Sequence, residues 1–182
     1  MGESMATESQ TEPKLPPEIV PVSWLIGHWV GVGTGQYPTI ADFRFGQEIR
    51  FSYDGGPFLS YWSRSWLLDD EGNRIRATES ESGYLRPHPD RTIDFMLTHP
   101  GGYSEVWEGT VEATGLDQDE ITGARIEMRT DIVARTPDSQ PYTAGHRLYG
   151  LVNSELMWTF DMAAMGESLG NHLAARLKPA AP

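Results

Sequence analysis

The sequence of 182 residues contains no cysteine. That excludes a disulfide framework, a thiolate metal site and a thiol nucleophile, and it suits a reducing compartment. A cytoplasmic location is therefore expected. Basic residues are scarce, with 14 Lys and Arg against 26 Asp and Glu and a formal charge of -12. Without a cluster of Lys or Arg, nucleic acid is not an expected partner. The acidic surface chiefly promotes solubility and repels anions. No apolar run approaches the roughly 20 residues needed to cross a bilayer as a helix. No basic segment followed by an apolar one opens the chain, so neither a membrane nor a secretory leader is expected. Also missing are a Gly-x-Ser-x-Gly nucleophile elbow, a Walker phosphate loop and a His-Glu-x-x-His metal motif. The carboxylate pairs Asp69-Asp70 and Glu79 with Glu81 fall in a turn or alternate along a strand, and read most simply as solvated.

What the chain does have is glycine and aromatic residues: 19 Gly, 6 Trp, 7 Tyr and 6 Phe. The stretch Gly27-His28-Trp29-Val30-Gly31-Val32-Gly33 places small residues at every second position, apart from Trp29. Period 2 is the strand period, and glycine within a strand marks a bend or a close approach of another backbone. The stretch reads as an opening strand whose single Trp29 fills one end of a closed sheet. It is followed by Tyr37-Pro38-Thr39-Ile40. Gly31-Val32-Gly33-Thr34-Gly35 is no dinucleotide fingerprint, because nothing helical follows it.

Alternation is clearest from Asp42 to Tyr53. Phe43, Phe45, Gln47, Ile49, Phe51 and Tyr53 share one face, and polar or small residues share the other. Further strands are expected at Phe58–Leu68, Arg74–Arg86, Thr92–Thr98, Tyr103–Glu112, Ile121–Thr130, Tyr142–Val152 and Glu155–Met162, each bounded by Gly, Pro, Asp or Asn turns. The segment Leu169–Leu177 has helical propensity, or else forms a strand with His172, Ala174 and Arg176 on one face. Closing a sheet against the first strand requires a strand, and that is the expectation. The fold expected is all-β: an antiparallel up-and-down barrel of about ten strands, like fatty-acid-binding proteins and lipocalins. A barrel domain over 22–178 is flanked by a polar, proline-rich tail at 1–21, expected to be disordered, and a short tail at 179–182.

The opening motif together with Tyr37-Pro38-Thr39-Ile40 resembles the nitrobindin family of haem-binding β-barrels. The resemblance continues in Gly56-Pro57-Phe58-Leu59, Glu81-Ser82-Gly83-Tyr84-Leu85-Arg86, His99-Pro100 and His172-Leu173-Ala174-Ala175, and so spans about Val22 to Leu177. It implies a ten-stranded barrel with one haem b per subunit near its mouth. It also implies ferric iron held by one histidine, reversible binding of nitric oxide, and isomerisation of peroxynitrite to nitrate. The alternative from a different class is a non-catalytic barrel that carries a fatty acid or another apolar ligand.

Of the five histidines, His172 takes the family's proximal position and is the expected metal ligand and catalytic residue. Thr39 falls where a hydroxyl reaches a haem propionate, or else is a turn residue after Pro38. By the family's pattern Met162 lines the haem cavity, or else it is simply a core methionine. Glu79 stands where many members have His. There it makes the field at the haem edge more negative, carries a proton, or is simply solvated. His99 lies in a turn on the distal side, as a donor to bound ligand or as an exposed residue. Gln140 stands where some relatives have Lys. The resemblance gives the motif residues Gly27, Trp29, Gly31 and Gly33 no ligating role. His28 is expected to point away from the pocket or to cap the barrel end, His88 to be exposed, and His146 to lack a partner. Trp62, Trp66 and Trp107 either form a homodimer face or point inward.

Overall fold

A computed structural model describes residues 15–118 and 120–181. Ten strands form one closed barrel: β1 (Gly27–Tyr37), β2 (Ile40–Ser52), β3 (Leu59–Leu68), β4 (Arg74–Pro87), β5 (Thr92–His99), β6 (Tyr103–Asp117), β7 (Glu120–Arg135), β8 (Tyr142–Val152), β9 (Glu155–Ala164) and β10 (Gly170–Pro179). Each pairs antiparallel with its neighbours in sequence, and β1 also pairs with β10. The barrel expected from the alternating pattern is therefore the observed fold, and the ambiguous C-terminal segment is a strand. Tertiary context overrides its helical propensity, because only a strand satisfies the free edges of β1 and β9.

Glycines make the closure tight. Gly31 lies opposite Leu177, Gly33 opposite Ala175 and Gly35 opposite Leu173. A Cβ at Gly31 would run into the backbone of Arg176 and Leu177. Inward residues from every strand fill the interior, with Phe51, Leu59, Leu85, Phe95, Trp107, Ile126 and Leu156 almost wholly buried. Each such side chain contributes on the order of 1.5–3 kcal/mol of transfer free energy.

The two ends differ. Before β1 a short 3-10 helix, Val20–Leu25, crosses the barrel end, with Ile19, Val22 and Leu25 completely buried. Trp29 packs there too, and its Nε1 donates to the Leu25 carbonyl at 2.8 Å. This end is plugged. Of the N-terminal tail expected over 1–21, residues 1–14 lie outside the described residues, and the rest includes the buried Ile19. At the other terminus β10 runs on to Pro179, and Ala180 N–H donates to the His28 carbonyl at 2.7 Å. Since β1 leaves the plugged end, the turns after β1, β3, β5, β7 and β9 all lie at the other end. There the inward residues Phe43, Tyr103, Val133, Met162 and Leu173 are only half-buried, so that end is open. Among the described residues no helix is long and apolar enough to cross a membrane.

Candidate functional site

The open end gathers the residues singled out in the sequence. His172 is near the start of β10, Met162 near the end of β9, Thr39 in the β1–β2 turn, His99 at the end of β5 and Glu79 on β4. β10 and β5 are five strands apart in either direction round the ring, so His172 and His99 stand on facing walls.

A β-bulge decides where His172 points. Asn171 pairs with Asp161 and Leu173 with Phe160, leaving His172 as the extra residue. Regular alternation would have set it on the outer face with Ala174 and Arg176. The bulge turns it instead toward the aromatic side chains of the mouth, which corrects the face expected from the sequence. Its ring lies 5.3 Å from Tyr37, 6.0 Å from Phe160 and 6.3 Å from Phe43 between centroids. Its Nδ1 is 2.9 Å from the Gln36 carbonyl. A carbonyl only accepts, so Nδ1 carries the proton and Nε2 keeps a lone pair without a protein partner among the described residues. Burial holds the imidazole pKa below its usual value, outweighing the hydrogen bond to Gln36. The side chain is therefore a neutral imidazole with its tautomer set, the form that binds metals.

The glycine motif supports this wall. The Phe45 ring occupies the space a Cβ would take at Gly33, and Phe43 does the same at Gly35. The tips of both rings thus press against β1, and Phe43 meets His172 edge-on. Tyr37 Oη locks β1 to β9, donating toward the Met162 and Ala164 carbonyls at 3.2 and 3.1 Å and accepting from Ala164 N–H at 2.9 Å. Met162 is half-buried and faces Gly145 and Gly170 across its two neighbouring strands. Thr39 is exposed at the rim.

The facing wall is polar. His99 is not an exposed turn residue: it ends β5 with its side chain 1% exposed. Its Nε2 is 2.7 Å from Glu105 Oε2, and Tyr142 Oη donates to Glu105 Oε1 at 2.5 Å. Tyr103 stacks on the His99 ring at 4.0 Å. Nδ1 has no hydrogen-bond partner and lies 3.8 Å from Glu79 and 3.9 Å from Glu81. Burial alone would lower the His99 pKa, but the hydrogen bond to Glu105 and the nearby carboxylates of Glu79 and Glu81 raise it to about 9. His99 is thus an imidazolium at neutral pH, opposite a neutral His172. Glu79, 43% exposed, is the carboxylate of this group nearest to solvent.

Below the mouth, Arg147 is buried with its Nη atoms 2.5 and 3.1 Å from Glu81, which also accepts from Tyr61 Oη at 2.7 Å. Trp107, Phe160 and Trp158 surround the guanidinium, with ring centroids 4.8–5.9 Å from Cζ. Sequence reasoning missed Arg147, although it shares the inward face of β8 with Tyr149 and Leu151. Glu81 was read as solvated, yet it faces inward; its partner on β8 is 66 residues away in sequence.

The other histidines are on the outer surface or its edges. His28 bonds Glu48 at 2.9 Å, and His88, half-buried rather than exposed, bonds Asp94 at 2.9 Å. His146 does have partners: Glu127 at 3.0 Å and Asp161 at 3.2 Å. Gln140 is exposed, and its carbonyl accepts from Arg135 at 3.2 Å. Trp107 points inward, while Trp62 and Trp66 lie outside beneath Arg64 and Arg74.

Comparison with known proteins bears on this mouth. Residues 18–178 match the model of the THAP4-like, heme-binding beta-barrel domain. A protein from a Nocardioides species named peroxynitrite isomerase is 44% identical over 163 residues, covering 90% of this chain and 93% of its own. A ferric nitrobindin-like protein from Streptomyces griseus is 41% identical over 164 residues, covering 90% of this chain and 82% of its own. The crystal structure of Rv2717c from M. tuberculosis superposes with a TM-score of 0.83 at 33% identity, over 92% of this chain and all of that one.

Proposed function

This chain belongs to the THAP4-like, heme-binding β-barrel family, and on that premise we propose that it binds one haem b at the open end through His172. We further propose that it isomerises peroxynitrite to nitrate and binds nitric oxide there. One observation carries the reading: a neutral imidazole with a free Nε2, its Nδ1–H tied to the Gln36 carbonyl, set in an aromatic mouth. Among the described residues no group of three or more His, Asp or Glu could hold a bare metal ion. A single imidazole suits iron whose other ligands come with the metal, as in a porphyrin. The donor chemistry therefore fits haem.

The residues divide the work. His172 would hold the iron through Nε2, and Gln36 fixes its orientation and strengthens it as a donor. Tyr37, Phe43, Phe160 and Met162 form the apolar lining that limits water. Thr39 offers a hydroxyl at the rim. When bound, the ferric haem would supply a Lewis-acidic, one-electron centre at which peroxynitrite rearranges to nitrate. Isomerisation needs no net proton, so the facing wall need only hold one. His99, hydrogen-bonded to Glu105 and with its Nδ1 buried beside Glu79 and Glu81, keeps that proton within the wall. A fatty-acid carrier is the weaker reading, because the guanidinium buried deep in the barrel, Arg147, is already neutralised by Glu81.

Stopped-flow decay of peroxynitrite with nitrate quantification tests the proposal. Haem-loaded protein should speed the decay and raise the nitrate yield, and His172→Ala should lose both effects. Equal rates and yields for the two proteins would overturn the assignment of His172.

A further inference from the structure

We propose that Arg76 and Arg135 form a bracket for two carboxylates at the open end, the propionates of the haem. This rests on the haem reading but concerns residues with no role in it so far. Arg76 lies opposite Leu67 in the β3–β4 ladder, and Leu67 continues the inward series of Leu59, Tyr61, Ser63 and Ser65. Arg135 lies opposite Tyr103 in the β6–β7 ladder and follows the inward Val133 by two residues. Register thus sets both arginines on the inner face, at the rim.

Neither makes an ion pair among the described residues, whereas Arg64, Arg86, Arg125, Arg129, Arg147 and Arg176 all do. Their hydrogen bonds go only to backbone carbonyls, Ala77 at 3.3 Å and Gln140 at 3.2 Å. The remaining guanidinium N–H groups are available, and the guanidinium fork suits a carboxylate. The other two arginines near this end are engaged on the outside: Arg44 reaches the Asp70 carbonyl at 3.3 Å, and Arg74 lies 5.2 Å over Trp66.

The rim is otherwise acidic, with Asp42, Asp70, Glu71, Asp138 and Glu167 all exposed. A ligand edge carrying two negative charges would be repelled there unless cations met it on the inner side. β4 and β7 flank the β5–β6 wall. At about 4.8 Å between neighbouring strands, their axes are roughly 14 Å apart along the sheet. The two exposed arginines stand on either side of that span.

Hemin and hemin dimethyl ester, whose propionates are uncharged, separate this idea from the reading beneath it. Each is titrated by Soret absorbance into the wild-type protein, Arg76→Gln, Arg135→Gln and the double variant. Each single substitution should weaken hemin roughly threefold to tenfold, as expected for exposed charge-assisted contacts. The ester should bind all four proteins alike, and added salt should narrow the difference for hemin. If the wild-type protein binds hemin and the variants match it, the bracket is wrong and the haem reading stands. Equal weakening of hemin and ester would also overturn the bracket, by showing a general distortion of the mouth. If the wild-type protein binds neither compound, both ideas fail.

Discussion

Replacing Glu81 with glutamine should cost more stability than any surface substitution in this barrel. The carboxylate accepts from both Arg147 Nη atoms and from Tyr61 Oη, at 2.5, 3.1 and 2.7 Å. Glutamine can satisfy at most part of this set, and it turns an NH2 toward a guanidinium that only donates. Arg147, 3% exposed, would then be a buried charge without a counter-ion. Breaking such a pair costs about 3–5 kcal/mol. Linkage gives a similar figure. Burial raises the Glu81 pKa, but the charge and hydrogen bonds of Arg147 bring it down from 4.5 to about 2. At 1.36 kcal/mol per unit that shift is worth about 3 kcal/mol, present above the unfolded pKa and lost as the pH falls from about 4.5 to 2. For a chain of this size the melting temperature should fall by roughly 6–20 °C. The double variant Glu81→Leu with Arg147→Met removes both charges and should recover most of the loss, within about 1–2 kcal/mol of wild type. Urea unfolding at neutral pH measures all three. A loss below about 1 kcal/mol for Glu81→Gln, or a double variant no better than the single one, would refute the argument.

Three further outcomes follow from the mouth. His99 has a raised pKa, so its stabilising contribution is complete below about 6.5 and fades as the pH rises through about 9. Urea unfolding should show wild type losing up to about 3 kcal/mol relative to His99→Gln between about pH 6 and pH 10; parallel pH profiles would contradict this. Deleting Asn171 removes the bulge and turns His172 outward, so hemin affinity should collapse while circular dichroism still reports a folded barrel. Unchanged affinity would show that the bulge does not aim the ligand. Gly35→Ala drives a methyl into the Phe43 ring, at about 1–3 kcal/mol in stability and with weaker hemin binding; a neutral variant would mean that Phe43 can move aside freely.

Much of the fold could be read from the chain because period 2 is strong where one face is buried. Asp42 to Tyr53 alternates as the structure does, and the glycine row marks the strand where the barrel closes. The site was legible in part. His172, Met162, Thr39, Glu79 and His99 converge on one end because alternate turns of an up-and-down barrel share an end. The direction of His172 was not legible, since a single extra residue in β10 reverses its face without altering composition or motif. The state of His99 depends on Glu105, six residues away across a hairpin, and on Tyr142 from β8. Partners set by strand register leave no local signal, which is also why the partners of Arg147 and His146 went unseen.

Optical titration of the haem-free protein with hemin tests the central claim most directly. Wild type should bind one equivalent and develop the Soret band of a histidine-ligated ferric haem. His172→Ala should lose that band, and added imidazole should restore it. An unchanged spectrum and affinity in His172→Ala would contradict the account.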